Sequence, residues 1–96
     1  MKRNDVLQIL TAIKPELVNR FGITKLALFG STARDQAKTG SDLDVLVAFD
    51  ETTSSSKYFG VLFLLEDQLG CRVDLVTEKA LRAELKPYIE KDAIYV

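Results

Sequence analysis

Val6, Ile9, Leu10, Ile13 and Leu17 fall three or four residues apart with Asn4 ahead of them as a candidate cap, which predicts an amphipathic helix over residues 5–20. Pro15 is placed to kink or split it. Gly22 closes that pattern, and residues 25–29 (KLALF) form a short apolar run that stops at Gly30, the length and setting of a buried strand. Residues 31–41 are a polar connection in which Ser31-Thr32-Ala33-Arg34 can open a helical turn and Lys38-Thr39-Gly40-Ser41 reads as loop. Residues 43–49 are apolar and β-branched, as in a central strand.

Residues 50–56 (DETTSSS) offer several caps for a strongly apolar helix over 57–69, which Gly70 closes. Residues 72–76 predict a third strand. Helix-forming residues continue over 78–92 around Leu81, Leu85 and Ile89, interrupted by Pro87, and the tail 93–96 either pairs as a short edge strand or docks on the core. Strand, helix and strand between 43 and 76 make a crossover unit. The predicted fold class is α/β, with a small, partly parallel mixed sheet of about three strands flanked by about four helices.

With 96 residues the expectation is one domain over 1–96, burying about 65% of its extended surface. Such a thin core leaves a large substrate to be held by another molecule. The 47% hydrophobic and 28% charged residues are ordinary globular composition, and a net charge of −1 lacks the basic footprint of a chain that grips nucleic acid by itself. No stretch approaches 18 apolar residues, so a soluble, cytoplasmic protein away from the membrane is expected. Cys71 is alone, which excludes an internal disulfide, and the absence of histidine excludes His-based metal sites, Ser-His-Asp triads and Cys-His nucleophiles. Any chemistry must use carboxylates, hydroxyls, Lys or Arg.

Asp42 and Asp44 flank Leu43 at the start of the second strand, so their side chains share a face about 6.6–6.8 Å apart at the backbone while Leu43, Val45 and Val47 turn into the core. Two like charges at that range repel unless a cation lies between them, and Mg²⁺, which binds one or two carboxylates plus substrate phosphates, is the natural one. Taken alone, D-x-D is also an ordinary strand entry. Asp74 adds weight because it interrupts Arg72-Val73-Asp74-Leu75-Val76, where a charge needs a partner. That partner is either Arg72 or Lys25, or the site formed by Asp42 and Asp44, if the third strand neighbours the second. Three such acids can hold two metal ions for phosphoryl or nucleotidyl transfer. Leu46 and Val47 stand where an EF-hand needs a ligand and glycine.

Gly30-Ser31 follows a strand and precedes a helical turn, a setting in which backbone N–H groups and a hydroxyl can hold a phosphate. Arg34 lies one turn on and can reach phosphate oxygens; alternatively Ser31 is a cap and Arg34 is solvated. No Walker P-loop pattern is present.

Gly30-Ser31, ten intervening residues, Asp42-Leu43-Asp44 and a single Asp74 in the next strand together resemble the polymerase-β-like nucleotidyltransferase superfamily. The run LFGSTARDQAKTGSDLDVLVAF is similar to its minimal, stand-alone members. That resemblance implies that Gly30 and Ser31 contact the triphosphate, and that Asp42 and Asp44 bind the catalytic and nucleotide Mg²⁺ ions. Asp74 would be the third ligand and would activate the attacking hydroxyl. Asp35 departs from the pattern, since many relatives carry Gly after Ala-Arg; it would either weaken nucleotide binding or point to solvent. Minimal members resemble the antitoxins paired with all-helical HEPN ribonuclease toxins, which implies transfer of AMP from ATP to a tyrosine hydroxyl of the toxin. Two other readings stay open. One is an antitoxin that neutralises its partner by occlusion, through apolar surface including Tyr58, Phe59, Phe63, Tyr88 and Tyr95; the other is a nucleotide-binding subunit of a larger two-component transferase. Larger relatives append a domain that holds the acceptor, so on this reading the acceptor arrives on another chain.

Overall fold

A computed structural model of the chain describes residues 2–36, 42–50 and 54–96. The loop expected at 38–41 and part of the cap-rich segment at 50–56 lie outside them. Helix α1 (Arg3–Phe21) leads into strand β1 (Ile23–Phe29), the single turn α2 (Gly30–Ala33), β2 (Leu43–Phe49), α3 (Ser55–Leu69) and β3 (Val73–Thr77). A 3₁₀ turn (Glu78–Ala80), α4 (Lys86–Asp92) and β4 (Ile94–Tyr95) complete the order. The four strands form one mixed sheet in the order β3-β2-β1-β4, with β2 and β3 parallel and both other pairs antiparallel.

Pro15 neither kinks α1 into two elements nor ends it. It removes one backbone donor, but Val6, Leu10, Ile13 and Leu17 are buried on both sides of it, and that shared packing outweighs a single lost hydrogen bond. Asn4 lies inside the helix, and Lys2 occupies the cap position without a side-chain bond. β1 begins two residues earlier than its apolar run, because an irregularity between Ile23 and Lys25 leaves two successive polar residues, Thr24 and Lys25, exposed. Ser54 caps α3, its hydroxyl accepting from Lys57 N–H at 3.2 Å.

The helix expected over 78–92 is instead broken. Thr77 caps the 3₁₀ turn, and Pro87 lies in the first turn of α4, where a missing N–H costs nothing, so it helps start that helix. The tail forms the fourth strand, with Ala27 opposite Tyr95 and Leu28 opposite Ile94.

Alternation along the strands gives the sheet two unequal faces. Leu26, Leu28, Leu43, Val45, Val47, Val73 and Leu75 pack beneath α1 and α3, where Gly60 lets the Phe21 ring approach α3 closely. The opposite face buries Ala27, Phe29 and Leu46 under Leu81, Ile89 and Ala93. Among the described residues sixteen buried apolar side chains belong to the first cluster and three to the second, so most stabilising burial lies away from the acids. No described helix is long and apolar enough to cross a membrane.

Candidate active site

The site forms where the end of β1 meets the start of β2. Antiparallel pairing sets Phe29 opposite Asp44, and parallel pairing sets Asp44 beside Asp74 with no offset. Because Leu43, Val45, Val73 and Leu75 are buried under the helices, the intervening acids face the other side of the sheet from strands about 4.7–4.9 Å apart. Asp42 precedes the strand and is exposed; Asp44 is half-buried and Asp74 exposed. The alternative ion pair for Asp74 is not formed among the described residues, since Lys25 Nζ meets Glu78 at 3.2 Å.

Burial pushes the Asp44 carboxyl above the usual carboxylate range; the charge of Asp74, a hydrogen bond with it and the charge of Asp42 add to the rise, while Arg34 opposes it. A cation would remove that penalty. Among the described residues, no three Asp, Glu, Cys or His side chains form a group that could hold a metal by themselves. The donor set still fits Mg²⁺, which commonly takes one or two carboxylates and completes its shell with water and substrate phosphate oxygens.

Gly30 brings the turn against this pair. Its φ of +77° is left-handed, and a Cβ built on it would overlap Asp44 Oδ2 and come within 3.0 Å of Asp44 Cγ. The backbone of the Gly30-Ser31 turn therefore touches the acid. The first N–H groups of a helical turn have no partner within it and remain available for phosphate oxygens. Ser31 is half-buried, and Thr32 is buried with a hydroxyl that has no partner among the described residues.

The turn ends in a left-handed cap: Gln36 N–H donates to Ser31 O at 2.8 Å and Asp35 N–H to Thr32 O at 3.0 Å, with Asp35 at φ +59°. This is the position glycine suits best, and the Asp35 side chain is exposed. Asp35→Gly should stabilise the protein by up to about 1 kcal/mol, relief of the left-handed backbone being partly offset by unfolded-chain entropy. Chemical denaturation measures the gain; a loss of stability would contradict it.

Arg34 is engaged by other side chains. Its Nη1 donates to Asp92 Oδ2 at 2.6 Å and its Nε to Gln36 Oε1 at 3.3 Å, which ties the turn to α4. Reaching a phosphate means sharing or opening that pair.

Two side chains beside the site make contacts that the sequence does not reveal: Glu66 is not singled out by it, and Tyr58 enters there only as apolar surface. Tyr58 Oη donates to Leu75 O at 2.6 Å, and Glu66 Oε2 accepts from Val73 N–H at 3.1 Å. Their eight-residue separation on one helix was the available signal, but it carries meaning only once β3 is known to be an edge strand.

Residues 10–96 match the family model described as a nucleotidyltransferase domain. The chain is 40% identical over 92 residues to the protein adenylyltransferase MntA of Thermococcus cleftensis, covering 96% of this chain and 93% of that protein. A solved structure of a candidate minimal nucleotidyltransferase superposes with a TM-score of 0.84 at 35% identity, covering 98% of this chain and 95% of the other. A more distant likeness, at 19% identity and a TM-score of 0.61, is to a structure of a tri-AMPylated Shewanella oneidensis HEPN toxin in complex with its MNT antitoxin; it covers 97% of this chain and 66% of that one.

Proposed function

The chain belongs to the nucleotidyltransferase domain family, and on that premise we propose that it is a Mg²⁺-dependent antitoxin that transfers AMP from ATP to a tyrosine hydroxyl of a HEPN ribonuclease toxin. The observation that carries this reading is the juxtaposition of Asp44, Asp74 and the Gly30 turn at one end of the sheet. In support, the Thermococcus relative is named a protein adenylyltransferase and the Shewanella toxin is AMPylated beside an antitoxin of the same fold.

The Gly30 and Ser31 backbone and the Ser31 hydroxyl hold the triphosphate. Asp42, Asp44 and Asp74 would hold Mg²⁺, which when bound supplies Lewis-acid stabilisation of the attacking and leaving oxygens. The phenol oxygen attacks the α-phosphorus in line, the bond from α-phosphorus to the bridging oxygen breaks, pyrophosphate leaves, and Asp74 takes the phenolic proton. No covalent enzyme intermediate is needed; positioning and electrostatics carry the rate. Residues 1–96 act as a minimal nucleotidyltransferase domain in the cytoplasm, with the acceptor supplied by the toxin and no nucleic acid required.

Incubation with α-labelled ATP, Mg²⁺ and the HEPN protein should label that protein. Asp42→Ala should lower labelling about 10³-fold, the loss of several kcal/mol of transition-state stabilisation. Unchanged labelling would remove Asp42 from the mechanism. A second reading, neutralisation by occlusion, draws on the stacked pair Phe59 and Phe63, whose rings lie 6.0 Å apart and are 48% and 63% exposed. Toxin inhibition at substoichiometric protein with ATP favours transfer. Inhibition by the Asp42→Ala/Asp44→Ala double variant, only at equimolar amounts, favours occlusion.

A further inference from the structure

We propose that Tyr58 and Glu66 are positioning residues for Asp74, acting as a two-point clamp on the edge of the sheet. The inference rests on the adenylyl-transfer reading above for its role in catalysis.

β3 is an edge strand with β2 on one side only. Leu43 N–H donates to Arg72 O at 3.1 Å, so Arg72, Asp74 and Val76 turn their backbone groups towards β2, and Val73 and Leu75 turn theirs outward. Outward groups on an edge strand are ordinarily left to water or to a stray chain. Here α3 satisfies one on each side of Asp74: Glu66 Oε2 accepts from Val73 N–H at 3.1 Å, and Tyr58 Oη donates to Leu75 O at 2.6 Å. The two residues stand eight apart on α3, a little over two turns, and span the three-residue stretch whose middle member carries the acid. Val61 and Leu65, buried between them on the same helix, hold α3 against the sheet.

Asp74 is thereby fixed from both directions, by the ladder with β2 on its own backbone and by α3 on its two neighbours. The exposed edge would otherwise fray, and the carboxylate would swing with it. Tyr58 is suited to the task because a phenol is protonated at neutral pH and can donate to Leu75 O, and burial, followed by the Asp74 charge, raises its ionisation further. Neither side chain is required to touch nucleotide. The acid it steadies is the one assigned to the acceptor hydroxyl, so the effect belongs on turnover and leaves ATP binding to Gly30, Ser31, Asp42 and Asp44.

The test uses the full chain with its HEPN partner. Tyr58→Phe keeps the ring and removes only the donor; Glu66→Leu removes the acceptor, whereas Glu66→Gln keeps one. Tyr58→Phe and Glu66→Leu should each lower kcat for AMP transfer about tenfold with KM for ATP unchanged, given that sub-ångström misplacement of a reacting group costs rate steeply. Glu66→Gln should retain turnover near that of the wild type. In an Asp74→Asn background the further loss from Tyr58→Phe should vanish, because the clamp then has nothing to position. Wild-type turnover in Tyr58→Phe, an equal loss in the Asp74→Asn background, or Glu66→Gln failing as badly as Glu66→Leu would each overturn the proposal. If the wild-type chain transfers no AMP, the adenylyl-transfer reading falls, and amide hydrogen exchange decides the clamp. Faster exchange over residues 73–77 in Tyr58→Phe, with α1 unchanged, supports it; unaltered exchange there overturns it.

Discussion

Asp44→Asn is expected to abolish AMP transfer and, at neutral pH without nucleotide, to make the protein more stable than the wild type. Burial is the largest cause of the raised Asp44 ionisation, followed by the Asp74 charge and hydrogen bond and then the Asp42 charge. From the ordinary value of 3.8 up to the raised one, the folded state binds more protons than the unfolded chain, so stability falls as pH rises through that window. Above that window the whole penalty is present. Asparagine keeps the shape and removes the charge, and each kcal/mol relieved raises Tm by about 4–8 °C in a domain of this size. Thermal unfolding of both proteins from pH 4 to 7 checks this: the variant's advantage should grow with pH, and Mg²⁺ with a non-hydrolysable ATP analogue should stabilise only the wild type. A variant less stable than wild type at pH 7 without ligand would show that the acids are not in tension. Transfer should fall about 10³-fold or more, since the lost carboxylate is one that would carry the ion.

Gly30→Ala should damage both folding and turnover. Holding alanine in the left-handed region costs about 1–2 kcal/mol, and the new methyl occupies the space of the Asp44 carboxylate, so either the turn or the acid must move. A shift of about 1 Å at reacting groups costs on the order of 10²-fold in rate, and ATP affinity should weaken with it. Gly70→Ala is the matched control. Gly70 also sits in the left-handed region, at φ +69°, but a Cβ there meets nothing within 4 Å. It should lose comparable backbone stability and keep its turnover. If Gly30→Ala keeps its turnover as well, contact between the turn and Asp44 is irrelevant to the chemistry.

The alternation in LDVLV was enough to predict a strand, its buried face and the acids opposite, because one-sided burial permits only one phase of a period-two pattern; VDLV was legible as a strand whose acid joins that site only if the two strands are neighbours. Gly30-Ser31 was legible as a turn at a strand end, but by itself such a pair is more often a plain turn with a serine cap, and only its spacing from Asp42 and Asp44 pointed to a phosphate. The rest depended on partners remote in sequence. Arg34 looked free to meet a phosphate because Asp92, 58 residues on, could not be placed beside it. Thr24 and Lys25 hid the start of β1, since a strand irregularity breaks the period that reveals strands. β4 needs the neighbouring edge of β1 to exist, and Tyr58 and Glu66 acquire a role only after the sheet order makes β3 an edge. Asp35 was noticed as a departure from pattern, but its reason, a left-handed backbone, is conformational and leaves no trace in polarity.

The unstaggered pairing of Asp44 with Asp74 also acts as quality control on the chain's own assembly. A one-residue slip of β3 would bring Val73 or Leu75 to the acid's place and drive Asp74 under α1 and α3, among the residues that supply most of the buried surface. A one-residue slip, which would disarm the site, is thus one the core cannot accommodate, and the burial that stabilises the fold also favours the phase that puts both carboxylates on one face.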